Sequence, residues 1–180
     1  MQKTDNPWSV PVAVDDIPDG GLHREIEPPE PVRAELAELA ELRTLPRLSA
    51  TFDLTRRGAG VRVTGTVRAR VGQICGVTLE PMESDVEEAV DLVFAPAPEG
   101  VEAVLDGDGK KRRAADDAPD PLVGGKVDLG AIATEFLILG IDPYPRKPGA
   151  QFAPPAAEND GTKPFAALEA LKKRPGGGQS

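Results

Sequence analysis

The chain holds one cysteine and one histidine, so chemistry that needs a thiol or an imidazole must run through Cys75 or His23. A structural zinc site takes four Cys or His ligands, and these two cannot supply them. A nucleophilic thiol would need His23 beside it as a base. Cys75 shares an apolar period-two run with Val77 and Leu79, which reads as a small buried hydrophobe on a strand face. His23 falls in an acidic N-terminal stretch and reads as a solvated loop residue. Carboxylates are more plentiful. Glu80, Glu83, Asp85, Glu87 and Glu88 raise the question of a metal-dependent nuclease, which gathers several acids around its ions. They fall in a turn and on alternate strand positions, which argues against that arrangement.

Two features carry cations in a pattern that could bind. Arg62, Arg68 and Arg70 share the outward face of one strand, and Arg47, Arg56 and Arg57 lie nearby with Asp53 as the one acid among them. One reading is a surface for phosphate or an acidic partner. The other is cross-strand pairing with Asp85, Glu87 and Asp91, which occupy the outward face of a later strand. The second feature is the stretch Leu139 to Gly149. Pro143, Pro145 and Pro148 hold it extended at little entropic cost, and Tyr144, Arg146 and Lys147 ride on it. It is either a structural strap or a preorganised contact. The expected partner-binding set is therefore Pro143, Tyr144, Pro145, Arg146 and Lys147 with Arg62, Arg68 and Arg70. A further basic run, Lys110 to Arg113, is flanked by acids and reads as solvated loop. No residue is assigned to catalysis, to a metal or to a cofactor.

The elements that must position these residues are mostly strands. Val10, Val12 and Val14 alternate, as do Leu48, Ala50, Phe52 and Leu54. Val61, Val63, Val67, Ala69 and Val71 alternate with Arg62, Thr64, Thr66, Arg68 and Arg70, and Val86, Glu88, Val90, Leu92 and Phe94 form a third such run. Period two means one buried and one wet face. Arg56 to Gly60 reads as a hairpin turn. Three helices are expected. Pro31 opens one that carries Val32, Leu36, Leu39 and Ala40. Asp128 caps a second, whose stripe is Leu129, Ile132, Ala133, Phe136 and Leu137. A short third lies near Phe165, Leu168 and Leu171. The expected fold class is α+β: a curled antiparallel β-meander packed against one or two amphipathic helices. A single domain would run over 1–175, with a flexible loop at about 96–126 and a disordered tail at 176–180.

Composition narrows the function classes. The 180 residues carry a formal charge of -9, which opposes a nucleic-acid role for the body as a whole. Aromatics are 4 %, too few for a base-stacking platform. Gly and Pro number 19 each, so part of the chain must be loop. The N-terminal stretch lacks the apolar core of a signal peptide, and the apolar stretch Phe136 to Ile141 is far short of the roughly 20 residues that cross a bilayer. A cytoplasmic location is expected, with no membrane contact and no small-molecule substrate.

The pattern as a whole resembles a known family. Gln73-Ile74-Cys75-Gly76-Val77-Thr78-Leu79-Glu80-Pro81 is similar to the Cys-x-x-Cys-x-x-Pro segment of the YceD family, the large ribosomal RNA subunit accumulation proteins. The resemblance continues through Val127-Asp128-Leu129 and the following helix, then Asp142-Pro143-Tyr144-Pro145, and ends at Lys163-Pro164-Phe165-Ala166-Ala167-Leu168 with Leu171-Lys172. Pro7 to Val12 looks like the front end of the alphaproteobacterial branch. The resemblance implies a non-enzymatic accessory role in large-subunit biogenesis, supporting accumulation or maturation of large-subunit rRNA by binding a ribosomal protein or the rRNA. It also brings a departure. Thr78 stands where many members have a second Cys, and Arg146, Lys147 and Ala150 occupy the region where some add His and Cys, so a metal role does not carry over. The alternatives are a protein-interaction module unrelated to ribosomes and an RNA-processing enzyme.

Overall fold

The computed structural model describes residues 6–96 and 119–152. In chain order the elements are β1 (Pro11–Ala13), a 3-10 turn (Val14–Asp16), β2 (Leu22–Ile26), α1 (Glu30–Leu39), β3 (Thr44–Arg57), β4 (Gly60–Ile74), β5 (Pro81–Ala95), β6 (Asp120–Pro121), β7 (Lys126–Asp128) and α2 (Leu129–Gly140). The chain divides into two units, Met1–Ala150 and Gln151–Ser180. Every element named belongs to the first. The expected third helix, the tail and Lys110 to Arg113 lie outside the described residues.

Three long strands make the frame. The alternating apolar runs of β3, β4 and β5 pair antiparallel in succession, and the sheet order is β2-β3-β4-β5-β6. The turn from β3 to β4 is two residues, Gly58 and Ala59, with Arg57 paired to Gly60. Gly58 takes φ +59, the sign that a type II′ loop requires at its first central position. One face of the sheet is apolar and buried: Leu48, Phe52 and Leu54 of β3, Val61, Val63, Val67 and Val71 of β4, Val86 and Val90 of β5. Leu129, Ile132, Ala133 and Leu137 of α2 close over it, with Trp8, Val12, Val14 and Ile17 from the N-terminal stretch. The fold is α+β, as expected, with a mostly antiparallel open sheet and two helices.

Two elements differ from expectation, and one helix stop carries no sequence signal. His23 is not in a loop: it lies on β2, which adds to the free side of β3. Leu22 and Ile26 pack at the core margin, but Arg24 stands between them on the same face, so the apolar period is broken. The end of the expected loop is also strand. Asp120 and Pro121 pair parallel to Phe94 and Ala95, and a bridge between Val123 and Lys126 leads into β7. Finally, α1 ends without a glycine. Glu41 takes φ +54, and the bonds Glu41 N–H to Glu38 O (3.2 Å) and Leu42 N–H to Ala37 O (2.8 Å) complete a Schellman stop.

One carboxylate joins the front of the chain to its last helix. Asp128 Oδ1 accepts from the N–H groups of Gly130 (3.0 Å) and Ala131 (3.1 Å), capping α2, and from Val10 N–H (2.8 Å). Its Oδ2 accepts from the Ser9 hydroxyl (2.6 Å). The same residue pairs β7 with β1. Asp128→Ala strips a cap and the anchor of β1 together, and is expected to cost about 2 kcal/mol or more. Asp128→Asn, which keeps an acceptor oxygen, is expected to lose less. Urea unfolding of the three proteins checks this; equal midpoints for wild type and Asp128→Ala would contradict it.

Candidate functional site

The register of β4 against β5 decides what the strand arginines do. Arg68 lies directly opposite Glu87 and Arg70 opposite Asp85. Arg68 Nη2 donates to Glu87 Oε1 at 2.8 Å. Arg70 donates through Nε to Glu83 Oε2 at 2.8 Å and through Nη1 to Asp85 Oδ1 at 3.1 Å. Arg62 reaches diagonally to Asp91 and grips it with both prongs, at 2.9 and 2.7 Å. Hydrogen bonding and then the charge of Arg68 hold the Glu87 carboxyl below its usual range, and hydrogen bonding from Arg62 does the same for Asp91. All seven side chains in these pairs stay largely wet, so solvent screens them and they add little to stability. Of the two readings of the arginine face, the structure has the cross-strand pairs. Glu83 belongs to them too, although the sequence reading left it out; it shares the parity of Asp85 and Glu87.

Beside the pairs the outward face carries a shallow groove of about 600 Å³, lined among others by Glu25, Glu27, Arg47, Arg68, Arg70 and Glu87. Arg47 is the direct cross-strand neighbour of Arg70. A basic row thus runs between acids on the β2 side and acids on β5. The face answers its own charge and offers no concentrated positive field.

The strap behaves differently. It is fastened to the turn between β4 and β5 by bonds from several residues. Gln73 Nε2 donates to Asp142 O (2.8 Å), Gly76 N–H to Pro145 O (2.8 Å), and Lys147 Nζ to Glu80 Oε2 (2.7 Å). Tyr144 N–H closes onto Asp142 Oδ1 (2.8 Å). The result is a fixed segment on which Tyr144 is 78 % exposed and Arg146 points to solvent. Lys147 is spent on Glu80. The strap lies at the Ile74 end of β4, where Arg70 is four residues away; Arg62 is twelve residues from that end, about 40 Å along an extended strand. The expected site residues therefore do not form one patch. Pro143 to Lys147 with Arg70 mark one end of the sheet, Arg68 lies between, and Arg62 marks the other.

Cys75 anchors this junction. β4 stops at Ile74, and Cys75 opens a turn in which Leu79 takes φ +59 and is 76 % exposed, so the expected strand face of Cys75, Val77 and Leu79 does not exist. Cys75 is nonetheless fully buried. Its Sγ accepts from Thr78 N–H (3.5 Å) within the turn and from Lys147 N–H (3.4 Å) on the strap. Hydrogen bonding from Thr78, hydroxyl first and then N–H, with help from the Lys147 and Val77 N–H groups, pulls the thiol down to about 6 against the opposing effect of burial. His23 is no partner to it. The imidazole Nδ1 sits 2.7 Å from Asp53 Oδ1, near the opposite end of the sheet. Asp53 pairs with Thr64, about 35 Å of strand from Cys75. The acids considered for a nuclease are likewise dispersed: Glu80 on Lys147, Glu83 and Asp85 on Arg70, Glu87 on Arg68, and Glu88 on the opposite face of β5. No group of three metal-ligating side chains occurs among the described residues. One Cys with Thr78 beside it does not fit a thiolate metal site.

The chain belongs to the YceD family: the family described as large ribosomal RNA subunit accumulation protein YceD matches residues 63–172. That span runs from β4 through the Cys75 turn, β5, α2 and the strap into residues beyond those described. The family's name implies a role in accumulation of the large-subunit rRNA. No curated protein and no solved structure matches the chain.

The thiol sets a pH test for the junction. Its value falls from 9.0 to about 6 on folding, so the unfolded chain holds the proton more tightly. The thiolate's contribution is complete above about pH 9, shrinks as the pH drops, and is gone below about pH 6. Melting from pH 5 to 9.5 is expected to show wild type gaining on Cys75→Ala as the pH rises through that window. Parallel curves would show an ordinary thiol.

Proposed function

We propose that the chain is a non-enzymatic accessory factor of large-subunit biogenesis, acting in the cytoplasm, and that it supports rRNA accumulation by binding a basic large-subunit ribosomal protein. The observation that carries this reading is the fate of Arg62, Arg68 and Arg70. Phosphate binding draws its strength from cations that release counterions, and these cations are already matched by carboxylates. On a body at -9 a nucleic-acid backbone meets repulsion, whereas a Lys/Arg-rich ribosomal protein meets attraction. Among the described residues no helix is long and apolar enough to cross a membrane. The strap supplies the contact. Tyr144 and Arg146 are of the types enriched at binding hot spots, and the bonds to Gln73, Gly76 and Glu80 leave little ordering entropy to lose.

Depletion of the protein is expected to lower mature large-subunit rRNA relative to small-subunit rRNA; normal subunit profiles would overturn the reading. Tyr144→Ala with Arg146→Ala is expected to reduce recovery of large-subunit protein in a nuclease-treated pulldown by roughly tenfold while leaving melting unchanged. Arg68→Glu sets a carboxylate against Glu87 and is expected to lower the melting midpoint. If nuclease abolishes wild-type recovery and salt weakens it steeply, the direct contact is RNA and the protein-first reading fails.

A further inference from the structure

β5 is paired along nearly its whole length on one side and, among the described residues, almost bare on the other. β4 meets it from Pro81 to Phe94. On the far side, among the described residues, β6 alone pairs with it, at Phe94 and Ala95. From Pro81 to Val93 about half the backbone N–H and C=O groups therefore point to an open edge some 40 Å long. Such an edge is a template for strand addition unless something blunts it. Proline, a bulge and charged side chains, lysine above all, are the usual blunting devices, and a charge blunts an edge against strands of like charge or apolar surface. Proline occurs only at Pro81, the first residue, no register break interrupts the β4 pairing, and the strand holds no lysine. What it does hold is Glu83, Asp85, Glu87, Glu88 and Asp91, with no cation.

Arg62, Arg68 and Arg70 answer four of these five from β4, but five acids against three arginines still leave the strand pair two negative charges in excess, and that excess selects the occupant. A second copy of β5 laid along this edge would set five acids against five. A nucleic-acid backbone would meet the same repulsion. A basic extended peptide meets attraction. Apolar specificity lies on the opposite face, where Leu92 and Phe94 line a cleft of about 540 Å³ with Val123 and Ile132. Asp120, Asp128 and Glu135 stand among its lining residues, with Lys126 as the one cation. An added strand that alternates basic and apolar residues would lay its cations along the acid row and its apolar side chains in the cleft. β6 shows that this edge accepts a strand: Leu122 N–H donates to Ala95 O at 2.8 Å, where the open stretch ends.

We propose that the open edge of β5 takes up an extended basic segment of a partner protein as an added strand, with alternate apolar side chains entering the cleft beside Leu92 and Phe94. The inference rests on the reading of a basic protein partner and deepens it. Main-chain bonds supply affinity in this mode, and the pockets for alternate side chains supply specificity.

The test uses the full chain and an acetylated, amidated peptide of four Lys-Val repeats, with a control peptide of the same sequence N-methylated at alternate amides. Charge and side chains are common to both; the ladder is not. Binding by anisotropy is expected to be at least about tenfold weaker for the control. The unmethylated peptide is expected to slow hydrogen exchange at alternate β5 amides between Pro81 and Val93 and to leave the strap unchanged. Equal affinity of the two peptides, or protection away from β5, would overturn the proposal. So would β5 edge amides already slow in the free protein, because the chain itself would then cover the edge. Peptide failure alongside a large-subunit defect on depletion would sink the edge alone. Peptide binding by a protein whose depletion leaves subunits normal would sink the ribosomal role alone.

Discussion

The register of β4 on β5 is the constraint from which the rest follows. With Val67 opposite Glu88 and Arg68 opposite Glu87, every β4 valine of the buried set turns to the core and every arginine of the outer row meets an acid. A slip of one residue would invert both faces together. The two faces do not contribute equally. Val61, Val63, Val67 and Val71 are each fully buried, and burying a side chain of that kind is worth about 1.5–3 kcal/mol. The outer pairs are screened by water. The core therefore sets the register, and the arginine–carboxylate ladder is its consequence. The ladder adds little to that choice, because β4 holds no acid and β5 no cation, so a slip sets no like charges opposite each other; its effect is to bring the sheet face closer to neutral.

That asymmetry explains what could be read from the sequence. Strands β3, β4 and β5 were legible because burial of one face writes a period of two into Val61 to Val71 and Val86 to Phe94. Helix α2 was legible from its apolar stripe and from Asp128 as its cap. Strand β2 was not, because an edge strand whose middle inward position is Arg24 carries no alternation, and its pairing with β3 is a tertiary fact. The stop of α1 at Glu41 was hidden for a related reason: hydrogen bonds to Ala37 and Glu38 hold the left-handed conformation there without the glycine that would have announced it. Of the candidate site, the stiffness of Pro143 to Pro148 was visible, but its attachment was not. Nothing in the spacing of Cys75 and Lys147, 72 residues apart, says that a sulfur and a main-chain N–H will meet.

Cys75 shows how burial and reactivity can separate. The apolar period around it suggested a strand residue held by packing, and the burial is real. The cause differs. The chain turns at Cys75, and a turn directs N–H groups inward; Thr78 and Lys147 aim theirs at the sulfur. A group that accepts several N–H bonds is stabilised as an anion even where water is excluded. The sulfur is then an acceptor that ties two segments together, enclosed away from solvent. Thr78 is one of the residues that make the bond. The turn thus keeps a sulfur-centred junction without a second thiol.

The division of the chain follows from the same geometry. The family match begins at Val63, so it takes in the β4–β5 pair, the Cys75 turn, α2 and the strap, and leaves out β1, β2, α1 and β3. The omitted elements do structural work for the matched ones. β3 completes the buried face opposite β4, and β1, held by Asp128, presses Trp8 and Val12 against α2. They cover the β4 side of the sheet, while on the β5 side, among the described residues, β6 alone is added. A scaffold that adds its strands and its first helix on one side, and concentrates its carboxylates on the last long strand of the other, is polarised. Among the described residues, the strap and the acid-lined edge proposed above as contact surfaces both lie within the matched span.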